Sequence, residues 1–345
     1  MYLVDHDVRI GIEQGRVTVK DANGAVVRSI PFERIDGISV FGKAQLTTQL
    51  IRACLANGVA IGYYTEDGHY LGSLGLANSI DPSRQKKQAY LMDDEAFCLE
   101  WSKRVVTAKI ANSLAFLRSE SFNCSFSDAD LRGLLYSLAS VSDAETVEEV
   151  MGYEGNAARC YFACLPKLVT NSDFAFSGRS SRPPKDPFNA MLSYGYSLLH
   201  RNVVGAIERH GLHPYFAFLH KLKRGHAALA SDVMEDLRAL VVDSTVLGLV
   251  NSMDVTVSDF TMNESGAMYM NKTAMKSLTN ALTDSFSRRH RYYASYGDGK
   301  SFGLQVLLDG KVLSAVAAIE SADASLYRPL VWNEGIGLGA GDGNN

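Results

Sequence analysis

Apolar and polar positions alternate in the first quarter of the chain and predict β-strands. Val17 to Lys20 and Val26 to Ile30 are predicted to be short strands, and Asn23-Gly24 between them is a strong hairpin turn signal. Ile35 to Phe41 and Val59 to Tyr64 predict two further strands. We therefore expect a β-rich domain over the first 75 residues. A short helix is predicted between the last two strands by the spacing of Leu46, Leu50, Ile51, Cys54 and Leu55.

Beyond Asp81-Pro82 the apolar residues recur at helical spacing. The predicted fold class is α+β, with the small N-terminal β-rich domain followed by a larger all-helical C-terminal catalytic domain. We expect the domains at residues 1–75 and 96–332, a linker at 76–95 and a disordered tail at 333–345. Long helices are predicted for the segment that contains Val106, Ile110, Leu114 and Leu117, from Val147 to Leu165, and from Phe188 to His210.

The composition is that of an ordinary globular protein. The chain has 345 residues, of which 46% are hydrophobic, and its length predicts two domains. It contains no apolar run near the roughly 18 residues that would cross a membrane, and its start does not resemble a signal peptide. Five cysteines without CxxC spacing indicate reduced thiols and a cytoplasmic location. We interpret Cys160 and Cys164, one helical turn apart, as core residues rather than metal ligands.

Three short segments in the helical region carry candidate chemistry: 151–162, 211–220 and 231–238. They contain Glu154, His220 and Glu235. Two carboxylates and one imidazole could converge on a divalent cation, and mixed oxygen and nitrogen ligation suits manganese or magnesium. Phosphate chemistry is a common use of such a site.

Each candidate also has a simpler interpretation. A lone glutamate in a helix is usually solvated, but Glu154 lies in a fairly apolar segment where a carboxylate needs a partner. A lone histidine is more often hydrogen-bonded than metal-bound, but His220 ends an apolar stretch and precedes basic residues. His213 is a rival ligand, which we assign to the loop after the preceding helix. Glu235 lies three residues from both Asp232 and Arg238, a spacing that an ordinary helical ion pair would also explain.

The three segments resemble the signature of the CRISPR-associated integrase, the larger of the two proteins shared by spacer-acquisition systems. That family carries a Glu-Gly-x-x-Ala-Arg-x-Tyr helix, a Phe-Leu-His segment and an Asp-hydrophobic-Met-Glu-x-x-Arg helix, in this order. The resemblance extends over most of the chain. Its further matches are Arg84, Gln88, Lys109, Asn112 and the stretch 184–196.

The resemblance implies roles for particular residues. Glu154, His220 and Glu235 match the catalytic metal ligands, and Asp232 matches an acidic position that supports them. The implied reaction is a transesterification with Mn²⁺ or Mg²⁺, in which the 3′-hydroxyl of a captured DNA fragment attacks a phosphodiester at the border of a CRISPR repeat. Tyr161, Tyr194 and Tyr196 are candidates to line the site, although each could equally pack in the core.

The net charge of −4 neither supports nor excludes DNA binding, because affinity depends on local phosphate contacts. Any single basic cluster is typical of a solvated surface, but one cluster directly follows His220, which favours phosphate contact. The DNA-binding candidates are Arg84, Lys109, Arg179, Arg182, Lys221, Lys223 and Arg224.

The resemblance also implies partners. They are double-stranded DNA fragments, CRISPR repeat DNA, a second copy of the chain bound through the β-rich domain, and a small CRISPR-associated partner dimer that bridges two such homodimers. No membrane is expected. Two other functions stay open: a metal-dependent nuclease for branched or single-stranded DNA that does not integrate it, and a non-catalytic DNA-binding scaffold. Product analysis separates the first, whereas an intact ligand set weighs against the second.

Overall fold

The computed structural model describes residues 2–3, 8–35, 37–41, 43–64, 70–74, 80–120, 126–180, 183–287, 289–290 and 302–332. The predicted disordered tail, residues 333–345, lies outside these residues. In the described part of the chain, a small N-terminal β region precedes a mostly helical remainder, which confirms the predicted order of β-rich and helical parts.

The β region consists of two four-stranded sheets among the described residues. Their strand orders are β1-β5-β7-β8, with β5 parallel to β1 and β7, and β4-β3-β2-β6, whose β2-β3-β4 part is antiparallel. The strands are β1 (Tyr2–Leu3), β2 (Arg9–Glu13), β3 (Arg16–Lys20), β4 (Val26–Pro31), β5 (Gly37–Phe41), β6 (Gln45–Leu46), β7 (Ala60–Tyr64) and β8 (Tyr70–Leu74).

The predicted hairpin and the predicted short helix are both present. Asp21 accepts backbone hydrogen bonds from Asn23 and Ala25 in the turn between β3 and β4, and Gly24 there has a φ of +82°, which favours glycine. Helix α1 (Thr48–Ala56) begins after Thr47, whose hydroxyl accepts from the Leu50 N–H. The core of this region contains Ile10, Val17, Val19, Ile38, Leu50, Cys54 and Ile61.

Helices build the remainder of the chain around a second hydrophobic core. Asp94, Thr146 and Asp186 each accept a backbone N–H at the start of a long helix, which explains where those helices begin. The helices are α2 (Pro82–Leu91), α3 (Glu95–Ser119), α4 (Asp128–Ser140), α5 (Val147–Cys164), α6 (Pro187–Arg209), α7 (Ala228–Met234), α8 (Ser244–Asn251), α9 (Lys272–Ser287) and α10 (Leu304–Ser321).

The structure adds elements that the sequence pattern did not predict. Helix α2 occupies much of the segment that we assigned to the linker, and its buried Gln88 donates to the carbonyl oxygens of His213 and Phe216. The domain boundaries therefore stay a prediction. The remainder is mostly helical, as expected, and it also contains two short antiparallel strand pairs. These strands are β9 (Phe260–Met262), β10 (Met268–Met270), β11 (Arg289–His290) and β12 (Phe302–Gly303).

The type of helix changes within the segment that carries the motif residues Glu235 and Arg238. After α7 the chain continues as a 3-10 helix from Glu235 to Leu237 and as a π-helix from Arg238 to Asp243, before α8 begins. π-Helical turns often occur at functional sites, because a wider turn changes the direction in which the following side chains leave the helix. In the described part of the chain, no helix is both long and apolar enough to cross a bilayer.

Candidate active site

Glu235 is the buried centre of the candidate site. Its side chain is only 4% exposed, and it contacts two cations: Arg238 lies 3.0 Å from Oε1, and Lys109 Nζ lies 2.5 Å from Oε2. Burial alone would raise the pKa of Glu235, but Arg238, Lys109 and His220 together outweigh burial and lower the pKa to about 2. Glu235 is therefore ionised at neutral pH.

Lys109 connects Glu235 to Glu154. Lys109 lies on α3, Glu154 lies on α5, and the ammonium is in ion-pair contact with the carboxylates of both glutamates. Burial opposes the charged form of Lys109, but attraction to Glu235 and Glu154 is stronger and raises its pKa. A single ammonium thus holds together two carboxylates from segments that are distant in the sequence.

Asp232 fixes the orientation of His220. The fully buried Asp232 carboxylate accepts backbone hydrogen bonds from Phe218, Leu219 and His220, and it lies 2.7 Å from His220 Nδ1. Both oxygens of Asp232 act as acceptors for these N–H groups, so Nδ1 is the donor in its contact with Asp232. In the neutral ring, Nε2 then presents its lone pair, and this atom lies 3.8 Å from Glu235 Oε1.

The structure therefore links Glu154 to Glu235 through Lys109 and places His220 beside Glu235. In the residues that the structure describes, no group of three or more histidine, cysteine or acidic side chains has the arrangement of a preformed metal site. The chemistry of the donors nevertheless fits Mn²⁺ or Mg²⁺: Glu154 and Glu235 are carboxylates that already share a cation, and His220 Nε2 lies 3.8 Å from the other oxygen of Glu235.

A cavity of about 780 Å³ in the helical region is lined in part by Lys109, Glu154 and Glu235. Tyr161 and Tyr196 line it and donate to the buried Asp243, with O–O distances of 2.7 and 2.5 Å. Burial raises the pKa of Asp243 to about 6, although both tyrosines and the nearby arginines favour its ionised form. Tyr196 also lies under the guanidinium groups of Arg179 and Arg238, at 5.4 and 4.8 Å from its ring centre.

Two other candidates, Tyr194 and His213, make contacts away from the candidate site. Tyr194 is buried, and its hydroxyl contacts Thr279 rather than the cavity. The ring of His213, the rival ligand, stacks on Phe216 at 4.1 Å, in agreement with its assignment to the loop.

The basic candidates fall into different environments. Lys221, Lys223 and Arg224 are exposed directly after His220, with Lys221 3.3 Å from the exposed Glu148. Arg179 is partly buried, where it donates to Asn189 and Ser193.

Two further DNA-binding candidates are Arg84 and Arg182. Arg84 bonds Glu320 and the carbonyl oxygen of His210, so it ties α2 to α10 and the end of α6. Arg182 lies outside the described residues.

Sequence reasoning missed three features of this site: the carboxylate contacts of Lys109, the contact of Arg238 with Tyr196, and the role of Asp243. A signal existed only for Asp243, because it is a charged residue inside the apolar run 239–250. The contacts of Lys109 join helices that are far apart in the sequence, and no local pattern reports them.

Comparison with known protein families gives one match over most of the chain. The family described as CRISPR associated protein Cas1 matches residues 1–284. The CRISPR-associated endonuclease Cas1 of Mycobacterium tuberculosis strain H37Rv is 39% identical over 326 residues, which are 94% of this chain and 95% of that protein.

Solved structures show the same fold. A casposase bound to integration product superimposes with a TM-score of 0.80 and 24% identity, over 94% of this chain and 92% of the casposase chain. A chain of the Cas6-RT-Cas1--Cas2 complex gives a TM-score of 0.78 and 22% identity. The match covers 96% of this chain but only 36% of that longer one.

Proposed function

The chain belongs to the CRISPR-associated Cas1 family, and on this premise we propose that it is a metal-dependent DNA endonuclease and integrase. Its role would be to insert captured DNA fragments into a CRISPR array during antiviral defence. The observation that supports the proposal is the pairing of Glu154 and Glu235 on one ammonium, with His220 Nε2 3.8 Å from Glu235 Oε1.

Glu154, His220 and Glu235 would hold Mn²⁺ or Mg²⁺. When bound, the ion would lower the pKa of the attacking 3′-hydroxyl and neutralise charge that develops on the phosphate oxygens. Asp232 keeps His220 Nδ1 protonated, so that Nε2 is the atom offered to the ion. Arg238 holds one oxygen of Glu235 and thereby orients its carboxylate.

The wall of the cavity is preorganised by hydrogen bonds. Tyr161 and Tyr196 are fixed by Asp243, and the guanidinium of Arg179 lies over Tyr196. A rigid wall of this kind can hold the end of a DNA strand in line with the phosphodiester, which is where positioning accelerates a transfer reaction. The arginines beside it supply positive charge for phosphate groups.

A scaffold without catalysis is the weaker alternative. Glu235 remains ionised in a buried position, and such a position is costly unless partners or a function maintain it. A nuclease without integration uses the same ligands, so only the products distinguish it.

The deciding experiment incubates the protein with a repeat-bearing plasmid, labelled duplex fragments and Mn²⁺, with and without its small partner. Covalent transfer of the label to the plasmid at the repeat border supports integration. Cleaved DNA without transferred label supports the nuclease, and unchanged DNA under all conditions supports the scaffold.

DNA affinity is proposed to depend on the exposed cluster of Lys221, Lys223 and Arg224. We expect the triple alanine variant to bind duplex DNA more weakly and to show a flatter salt dependence, because each lost phosphate contact reduces the slope by about one. Titration of labelled DNA at several salt concentrations measures this slope. A triple alanine variant of Arg16, Lys20 and Arg28, which lie in the β region, is the control. An unchanged slope in the first variant would remove the cluster from the interface.

We further propose that the β region forms a homodimer and that two homodimers bind a small Cas2 partner dimer. The structurally similar chain of the Cas6-RT-Cas1--Cas2 complex belongs to an assembly with Cas2, which supports the proposed Cas2 partner. The β region also exposes apolar residues on the edge strands β4 and β8: Val26 and Val27 are 54% and 59% exposed, and Leu71 is 68% exposed. Exposed apolar edge strands favour pairing with another chain.

The dimer proposal predicts an effect of Val26 and Val27. Replacing both by serine should shift the protein towards monomer by about tenfold in dissociation constant, since two buried valines contribute at least ~1.4 kcal/mol. Light scattering after gel filtration, over a range of concentrations, measures the shift. Leu313→Ser, at a 52% exposed apolar position on α10, is the matched control. The β4 edge is not the interface if both variants dimerise like the original protein.

A further inference from the structure

Lys109 contacts the two carboxylates that would bind the divalent ion. Its side chain is 18% exposed, whereas Glu154 and Glu235 are 26% and 4% exposed. A monovalent cation between two carboxylates relieves the same repulsion that a divalent cation relieves, because both place positive charge between the two anions. The ammonium and the metal ion therefore compete for one position.

The charges of the cluster make this competition strong. Lys109 and Arg238 contribute two positive charges, whereas Glu154, Glu235 and Asp232 contribute three negative charges. The net charge of these five groups is −1 without a metal, and it is zero when His220, which contacts Asp232 and Glu235, is protonated. A divalent ion would leave the cluster with excess positive charge in a largely buried place, unless one of the cations moved away.

Lys109 is the cation that can leave. Arg238 is fixed by its contact with Glu235 and by stacking on Tyr196, and its planar group fits a carboxylate in one orientation. Lys109 has a flexible four-carbon stem, borders the cavity and has no contact with an aromatic ring among those that the structure records.

We propose that Lys109 is a built-in competitor of the metal: its ammonium holds Glu154 and Glu235 together until the divalent ion displaces it towards a phosphate group of the DNA. The inference rests on the proposed metal site. It explains how a lysine that is paired with carboxylates could also contact DNA, because the two contacts belong to different states of the site. Metal binding and DNA contact are then coupled through one side chain.

The first test measures Mn²⁺ affinity by calorimetry and by electron paramagnetic resonance. Lys109→Met and Lys109→Gln should both bind Mn²⁺ at least about tenfold more tightly than the original protein, which corresponds to ~1.4 kcal/mol of competition. Without metal, Lys109→Met should melt at a lower temperature, and saturating Mn²⁺ should recover most of the difference. Lys103→Met, on the same helix and bonded to the carbonyl oxygen of Ser142, is the control and should leave Mn²⁺ affinity unchanged.

The second test needs no substitution and so does not depend on the folding of a variant. Reductive methylation of lysines, followed by mass spectrometry, should modify Lys109 several-fold faster with saturating Mn²⁺ than without it, while Lys103 reacts equally in both. Unchanged or weaker Mn²⁺ binding by both Lys109 variants, or equal methylation of Lys109 in both states, would overturn the proposal. Glu154→Gln tests the proposed metal site separately from the competition by Lys109. If this variant binds Mn²⁺ normally, the proposed metal site itself is wrong.

Discussion

Alanine in place of Glu154, His220 or Glu235 is expected to reduce DNA strand transfer by at least about a hundredfold. Each side chain would supply a bond to the ion, and losing ~2.7 kcal/mol of transition-state stabilisation already corresponds to this factor. DNA affinity should change little, because it depends mainly on phosphate contacts at other basic residues. Transfer of a labelled fragment into a repeat-bearing plasmid measures the reaction, and gel shifts measure DNA binding.

The structure offers a matched control for this prediction. Glu148 lies on α5 with Glu154, but its carboxylate is 70% exposed and contacts only the exposed Lys221 among the partners that the structure records. Glu148→Ala should therefore integrate normally. Robust integration by Glu154→Ala or Glu235→Ala would contradict the assignment of both the metal site and the catalytic residues.

Replacement of Asp232 should reduce transfer less than replacement of a ligand. Asp232→Asn keeps one oxygen that can accept hydrogen bonds from the backbone at 218–220, but it weakens the contact that holds His220. We expect a loss of about tenfold to a hundredfold, in the range typical of residues that support metal ligands. A loss as large as that of His220→Ala would indicate that Asp232 has a more direct part in the site.

Local sequence patterns predicted much of the fold. Hairpin chemistry at Asn23-Gly24 and capping residues such as Asp186 act over a few residues, so they can be recognised without a structure. The motifs around Glu154, His220 and Glu235 were recognised for a different reason, since only their resemblance to a family linked the three segments. In the structure, Lys109 links Glu154 to Glu235, and His220 lies beside Glu235.

Long-range polar contacts were not predictable in the same way. Lys109 meets Glu235 and Tyr161 meets Asp243 only after helices pack, and the π turn before α8 sets where Asp243 lies. The segment that contains α2 was assigned to the linker. The hydrogen bonds of Gln88 to the loop after α6 stabilise this helix, and no periodicity within α2 encodes them.

A buried ion pair lies next to the candidate site, and we expect its loss to have a large effect on stability. Lys311 on α10 and Asp236, the neighbour of Glu235, form an ion pair in which both side chains are 1% exposed. Lys311 also donates to the carbonyl oxygen of Val233, and Asp236 accepts from the Leu330 N–H. Burial lowers the pKa of Lys311 and raises that of Asp236, so each group depends on the other to remain charged.

Lys311→Met should therefore reduce the free energy of unfolding by about 3–5 kcal/mol, because it leaves the Asp236 carboxylate buried without a counter-charge. Urea unfolding followed by tryptophan fluorescence measures this loss in the helical region, since both tryptophans, Trp101 and Trp332, lie there. Lys221→Met, which breaks an exposed pair with Glu148 in the same region, should cost little stability.

Combining Lys311→Met with Asp236→Asn distinguishes the lost charge pair from lost packing. The amide removes the uncompensated charge and keeps an acceptor for the Leu330 N–H, so the double variant should recover stability relative to Lys311→Met alone. If the two substitutions instead add independently, the ion pair does not stabilise the fold. Recovery would show that the segment carrying Glu235 is held in place by Lys311, because Asp236 follows Glu235 directly in that segment.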